Sequence, residues 1–144
     1  MKPYNELKMT IDSRSYNESF ARVAVAAFAA QLDPTIEELS DIKTAVSEAV
    51  TNCIVHAYGE GLGKIYITAS IYEDGKVKIK IRDGGCGIED VPKAMEPLFT
   101  TAGGERAGLG FAVMQSFMDK VRVRSKLGSG TSVSLEKKLL GRKK

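Results

Sequence analysis

Over residues 76–82 apolar and basic side chains alternate without a break, Val77, Ile79 and Ile81 against Lys76, Lys78, Lys80 and Arg82. Period two sends the two sets to opposite faces of a strand, and the same rule puts Asp83 next on the apolar face. KIYITASIY alternates in the same way, and the two segments flank EDG, which predicts a β-hairpin. ELKMTID predicts a first strand; VRVRS and TSVSLEK predict two final ones joined by an LGSG turn. Elsewhere the period lengthens to that of a helix. SFARVAVAAFAAQL follows Ser15 and Glu18, a capping-box pair, and runs to Asp33-Pro34. Phe20, Val23, Ala24, Ala27 and Phe28 form its main stripe, with Val25, Ala26 and Ala29 off it, so this helix is expected to need a second partner. Thr35 and Glu38 form another capping box, opening a helix to about Tyr58 that buries Ile42, Ala45, Val46, Ala49 and Cys53. LGFAVMQSFMD predicts a third helix with Val113, Met114, Phe117 and Met118 inward. Five strands, each apolar on one face, and three helices predict an α+β fold. The expected form is a two-layer sandwich, a mixed, mainly antiparallel sheet with helices on one face.

The 144 residues suit one domain, and 43% hydrophobic with 27% charged residues is ordinary for a globular chain. The domain is expected over 1–136, with 137–144 a basic, disordered tail. No apolar run approaches the roughly 20 residues of a membrane span, and MKPYNELKMTID has no apolar signal core, so a cytoplasmic protein without a membrane partner is expected. The net charge of +3 resides in the tail: removing the five Lys or Arg and one Glu of EKKLLGRKK from totals of 21 and 18 leaves net −1. Nothing in that near-neutral body reads as a basic stripe, which argues against a direct nucleic-acid partner. Cys53, His56 and Cys86 lack a fourth soft ligand and the paired spacing of a zinc site, so two reduced thiols are the simpler reading.

Four short patterns carry the chemistry. EAVTN sets Glu48 and Asn52 one helical turn apart, beside the buried stripe. A carboxylate next to an amide oxygen suits a general base beside a ligand for a hard cation such as magnesium; a solvated helix face is the alternative. Asp83-x-Gly85-x-Gly87 holds a buried acceptor that needs donors, such as the exocyclic amine of adenine, or the amides of its own glycine turn. Gly108 and Gly110 in ERAGLGF open a helix, whose N-terminal amides and dipole favour an anion such as phosphate. Between these lies PLFTTAGGERAG, a loop long enough to cover a ligand, in which Arg106 could meet a terminal phosphate. GLGK has Tyr58 where a Walker loop needs its first glycine, and no GxGxxG follows a strand, so the common large nucleotide folds are disfavoured.

ExxxN on a helix, DxGxG after a strand, a Phe-Thr loop and GxG at a helix start together resemble the ATP-binding domain shared by gyrase, histidine kinases and MutL, the GHKL superfamily. GSGTSVSL adds the late Gly-Thr of that superfamily through Thr131. NESFARVAVAAFAAQLDPT, AVSEAVTNCIVHAY and EPLFTT are similar, over nearly the whole chain, to the small stand-alone sporulation anti-sigma-F factors that are also serine-protein kinases. The resemblance implies ATP and Mg2+ as ligands. It makes Glu48 the general base, with Arg106 beside the transferred phosphate, and Asn52 the magnesium ligand. It gives Asp83 the adenine amine with Thr131 in support, lets the base lie against Gly85 and Gly87, and sets Thr100, Gly108 and Gly110 about the phosphates. It further implies a homodimer, a sigma factor of the sigma-F type as partner, an anti-anti-sigma protein as the serine substrate, and Arg22 as a partner contact.

Two other activities fit the same residues. One is an ATP-gated binding module in which Glu48 slowly activates water; the other is a detached histidine-kinase catalytic domain. The second is disfavoured because the chain has no separate phosphoacceptor helix, and His56 lies on the ATP-site helix itself.

Overall fold

A computed structural model of the chain describes residues 2–58, 61–87 and 106–141. It contains strand β1 (Asn5–Asp12), helix α1 (Tyr16–Ala29) continued by a 3-10 turn (Ala30–Leu32), and helix α2 (Ile36–Asn52) continued by a π turn (Cys53–Ala57). Strands β2 (Lys64–Ile71) and β3 (Lys76–Asp83), helix α3 (Arg106–Phe117), and strands β4 (Lys120–Lys126) and β5 (Gly130–Lys138) follow. The strands form one sheet in the order β1-β2-β3-β5-β4, and all four pairings are antiparallel. Ile67 stands opposite Ile81, and Ile81 opposite Val133, so the aliphatic residues of successive strands meet on one face. The helices cover that face, with α2 packed against both α1 and α3. Ile42, Val46, Val50, Ile65, Ile79, Met114 and Leu135 are fully buried between the layers.

Thr35 caps α2 as its spacing predicts: its hydroxyl accepts from the Glu38 amide, and the Glu38 carboxylate accepts from the Thr35 amide. Ser15 does not cap α1. Its backbone is already helical at φ −57° and ψ −33°, so the side chain cannot turn back onto the first turn, and Glu18 instead pairs with Arg22 at 3.0 Å. The buried face of α1 is also turned from the expected one, although Phe28 of the expected stripe packs against the core. Ala21, Val25, Ala26 and Ala29 are buried, whereas Phe20 and Val23 are 56% and 55% exposed. Small side chains let α1 approach α2 closely, a contact that phenylalanine at the interface would hold apart. Phe111 and Met114 of α3 and Met118 just after it face inward, while Phe117, expected inward, is 37% exposed.

Ordered structure continues beyond residue 136. β5 extends to Lys138, Leu139 is buried, and its amide bonds to the Gly75 carbonyl at 2.8 Å. The amides of Leu140 and Gly141 reach the Glu38 carboxylate at 2.7 and 3.2 Å. Glu38 therefore ties the start of α2 to the segment that follows β5. Burial alone would raise its pKa, but the amides of Thr35, Leu140 and Gly141 stabilise the anion and hold it below the ordinary carboxylate value.

Candidate functional site

The period-two reading of β3 holds at its end: Asp83 lies on the core face and is only 5% exposed. Its Oδ1 accepts the Gly85 amide at 2.9 Å and the Thr131 amide at 3.2 Å, and its Oδ2 accepts the thiol of Cys53 at 3.5 Å. Asp83 thus does cap its own glycine turn, one of the two readings open from the sequence. The turn, β5 and the end of α2 together fix the carboxylate. An ionised carboxylate offers about four lone-pair sites, so Oδ2 retains capacity for a stronger donor than a thiol. Burial and the adjacent Asp83 carboxylate push the Cys53 thiol well above its usual pKa, keeping it a neutral donor.

The glycines around Asp83 make room for the protein's own backbone. A Cβ on Gly85 would overlap the Ala57 carbonyl oxygen and stand 2.6 Å from the Ala57 Cβ; the Cys86 amide bonds to that same carbonyl at 3.1 Å. A Cβ on Gly87, at φ +78°, would overlap the Lys126 carbonyl oxygen, and one on Gly130, at φ +101°, the carbonyl oxygen of Asp83 itself. Tyr58 finishes the frame: its hydroxyl accepts from the Gly84 amide at 2.7 Å and donates to the Lys64 carbonyl at 2.6 Å. The Thr131 hydroxyl meets that of Ser125 at 2.7 Å, so it is the Thr131 backbone that holds Asp83.

Glu48 and Asn52 lie in the last two turns of α2, where the helix widens into its π turn, a distortion common at functional sites. Both amide atoms of Asn52, Oδ1 and Nδ2, are buried and have no hydrogen-bond partner among the described residues. Leaving such groups unpaired costs roughly 1–3 kcal/mol, an arrangement kept where a ligand supplies the partner. Gly110 of α3 faces this pair. A Cβ there would stand 3.2 Å from Glu48 Oε2 and 3.3 Å from each terminal atom of Asn52. The bare backbone at 110 therefore leaves room against the two side chains that the sequence singles out as base and cation ligand. An amide oxygen without a protein partner, next to a carboxylate, is a fitting donor set for a hard divalent cation.

Gly108 and Arg106 fall in the first turn of α3, where helix amides lack intrahelical partners. The surroundings of these two side chains, and Thr100 altogether, lie outside the described residues. Arg22 is on α1, bonded to Glu18 at 3.0 Å and to Ser19 at 3.4 Å. Sequence reasoning missed Cys53, Tyr58, Ser125 and Gly130 as supports of the site. Cys53 and Gly130 carried a signal, the first on the buried stripe beside Asn52 and the second in the turn before Thr131.

The arrangement of α2, the Asp83 turn and the glycine helix has known counterparts. A family profile described as "Histidine kinase-like ATPase domain" matches residues 12–137. The anti-sigma F factor of Caldanaerobacter subterraneus subsp. tengcongensis is 60% identical over 138 residues, covering 95% of this chain and 96% of the relative. This chain belongs to the anti-sigma F factor family. Another family member, from Geobacillus kaustophilus, is 53% identical over 134 residues and covers 92% of each chain. Among solved structures, the RsbU and RsbW domains of a Mycobacterium tuberculosis protein superpose with a TM-score of 0.69 at 22% identity. That match covers 95% of this chain and 32% of the other. The catalytic domain of the histidine kinase ThkA superposes at 0.57 with 18% identity, covering 94% and 97%. At such identities these two matches establish the fold of this anti-sigma F family member, a histidine kinase-like ATPase sandwich, and nothing finer.

Proposed function

We propose that this chain is a cytoplasmic anti-sigma factor that binds a sporulation sigma factor of the sigma-F type and, with Mg-ATP, phosphorylates an anti-anti-sigma partner on serine. The observation that carries the site assignment is the approach of the Gly110 backbone to Glu48 and to the buried, unpartnered amide of Asn52. Family membership supports the sigma-factor role. Mg-ATP, when bound, supplies the phosphoryl group and the charge that balances its oxygens.

The residues of the chain divide the work. Asp83, held by Gly85, Thr131 and Cys53, receives the adenine amine on Oδ2. Asn52 presents Oδ1 to the cation. Gly108, Arg106 and Thr100 are assigned to the phosphates by likeness to the family, and Gly110 keeps the space beside Glu48 open. Glu48 takes the proton from the attacking serine hydroxyl, a general-base role worth typically about 10²–10⁴ in rate. Arg22, braced by Glu18, is assigned to partner contact, and the exposed Tyr16, Phe20 and Val23 on the same helix to a homodimer or partner surface.

The test combines the protein, magnesium, terminally labelled ATP and the candidate anti-anti-sigma partner, and examines the label for acid stability. Acid-stable label on a partner serine is expected. Acid-labile label would indicate phosphohistidine chemistry, and free phosphate without labelled protein would indicate an ATP-gated module instead. In the same assay, Glu48→Gln is expected to lower phosphotransfer at least about 100-fold while leaving ATP and sigma-factor binding intact. Loss of nucleotide binding in that variant would assign Glu48 a structural role.

A further inference from the structure

The face of the sheet opposite the helices gathers positive charge that the sequence disperses. Lys80 and Arg82 of β3 and Arg122, Arg124 and Lys126 of β4 all point to this face and are exposed. They stand on either side of β5, opposite Ser132 and Ser134, with Arg82 paired to Ser132 and Arg124 to Ser132 from the other side. None of the five makes an ion pair with a carboxylate among the described residues. The one carboxylate of β5 on this face, Glu136, is shared between Lys78 and Lys120 at 3.9 and 3.8 Å.

Edge protection explains part of the charge. β4 is an edge strand, and lysines or arginines on an edge deter pairing with another sheet. β3 is the central strand, where no such protection is needed, yet Lys80 and Arg82 add to the same field. Like charges held this close destabilise a sheet modestly, so an unneutralised cluster that includes the central strand points to a ligand of opposite sign.

The spacing and chemistry narrow that ligand. Along each strand the cations recur every second residue, about 6.8 Å, and the two cationic strands lie about 10 Å apart across β5. The serine hydroxyls between them can donate hydrogen bonds. At the end of this face Arg82, Arg124 and Lys126 border an open recess of about 290 Å³ that Asp83 and Thr131 of the nucleotide site also line. A second copy of the chain would bring the same positive charge and be repelled. Sequence-tolerant binding of single-stranded nucleic acid relies on free aromatic faces. The rings on this side are already taken, Tyr66 by Arg82 at 4.2 Å and Tyr72 by Lys76 and Lys78 at 5.5 and 5.7 Å.

We infer that the open face of β3, β5 and β4 is a docking surface for an acidic segment of a partner protein, whose alternating carboxylates match the two cationic rows. This surface adjoins the nucleotide site at the shared recess, but its cationic rows lie on the other face of the sheet, since Arg82 and Asp83 are neighbours in β3 that point to opposite faces, and the inference stands whether or not the kinase assignment holds.

The experiment measures fluorescence anisotropy of a fluorescein-labelled ten-residue peptide of alternating Glu and Ser, at low salt, with the full chain. Saturable 1:1 binding that weakens with added salt is expected. Lys80→Glu/Arg124→Glu is expected to weaken it about tenfold or more, while Lys143→Glu/Lys144→Glu, with the same change in net charge, moves it less than about threefold. Binding of an ATP analogue serves as the fold control, and Lys80→Gln/Arg124→Gln replaces the reversed pair if the latter does not fold. Three results would overturn the inference: no saturable peptide binding, equal loss in both charge variants, or tighter binding of a 20-nucleotide single strand or duplex that Arg124→Glu abolishes. The last would assign the face to nucleic acid.

Discussion

Replacing Asn52 by leucine should make the protein more stable and less able to use nucleotide. The side chains branch alike, so the substitution would set two methyl groups where Oδ1 and Nδ2 now lie buried without partners among the described residues. Removing an unsatisfied amide is worth about 1–3 kcal/mol, and leucine adds a few tenths through its better helix propensity. The larger methyls would press on the Gly110 backbone, which already lies close, and this offsets part of the gain. A net increase of about 1–3 kcal/mol is expected, or roughly 3–9 °C in Tm for a chain of this size. Urea unfolding without nucleotide reads the stability as a shift in midpoint at unchanged slope. Titration with an ATP analogue, with and without magnesium, reads the function, and the magnesium-dependent part of the affinity should disappear. A variant that unfolds at the same or lower urea concentration than the parent would refute the reasoning, because it would mean that the Asn52 amide is satisfied in the free protein.

Asp83→Asn keeps an oxygen for the Gly85 and Thr131 amides but turns the other terminus into a donor, so ATP affinity should fall about 10–100-fold by calorimetry; an unchanged value would sink the adenine assignment. Gly85→Ala forces a methyl into Ala57 and should cost about 2 kcal/mol or more in urea unfolding, whereas parent-like stability would show that the turn yields easily. Glu38 has a pKa below its ordinary value of 4.5 in the folded chain, so its stabilisation is complete above that value and is lost as pH falls through the folded pKa. The stability gap between the parent and Glu38→Gln should therefore narrow as pH drops from about 6 toward about 3; a gap independent of pH would mean that its charge contributes nothing.

Strand alternation revealed Asp83 because a carboxylate in an aliphatic row has strong contrast, and Thr35 with Glu38 was legible because capping depends on nearby residues alone. The orientation of α1 was not. In a helix rich in alanine the apolar residues encircle the axis, and the buried side is decided by how closely α2 can approach, a tertiary fact. The basic face was hidden for a similar reason: its residues alternate with core residues in β3 and β4, which are far apart in sequence and flank one another only because β5 enters between them. Net charge near zero over the body concealed this segregation. Cys53 and Gly130 could be read as buried stripe and turn, but their service to Asp83 depends on contacts across 30 and 47 positions. The Glu48 and Asn52 pair was visible as spacing, while the isolation of the amide depends on the Gly110 backbone lying against it.

The position of β5 has a consequence for biosynthesis. β5 follows the other four described strands in the chain yet lies inside the sheet, and among the described strands it is the one neighbour of β4 and the outer neighbour of β3. It also brings the Thr131 amide and the Gly130 backbone that fix Asp83, and the residues after it close onto Glu38 of α2. Chains emerge from the ribosome N-terminus first, at about 5–20 residues per second. A nascent chain that already exposes α1, α2 and the β2-β3 hairpin therefore still lacks the β5 contacts that hold the Asp83 carboxylate. The surroundings of Asp83 are complete only once β5 has been made, so a product terminated before residue 130 would carry α1 and α2 without the contacts that fix this carboxylate.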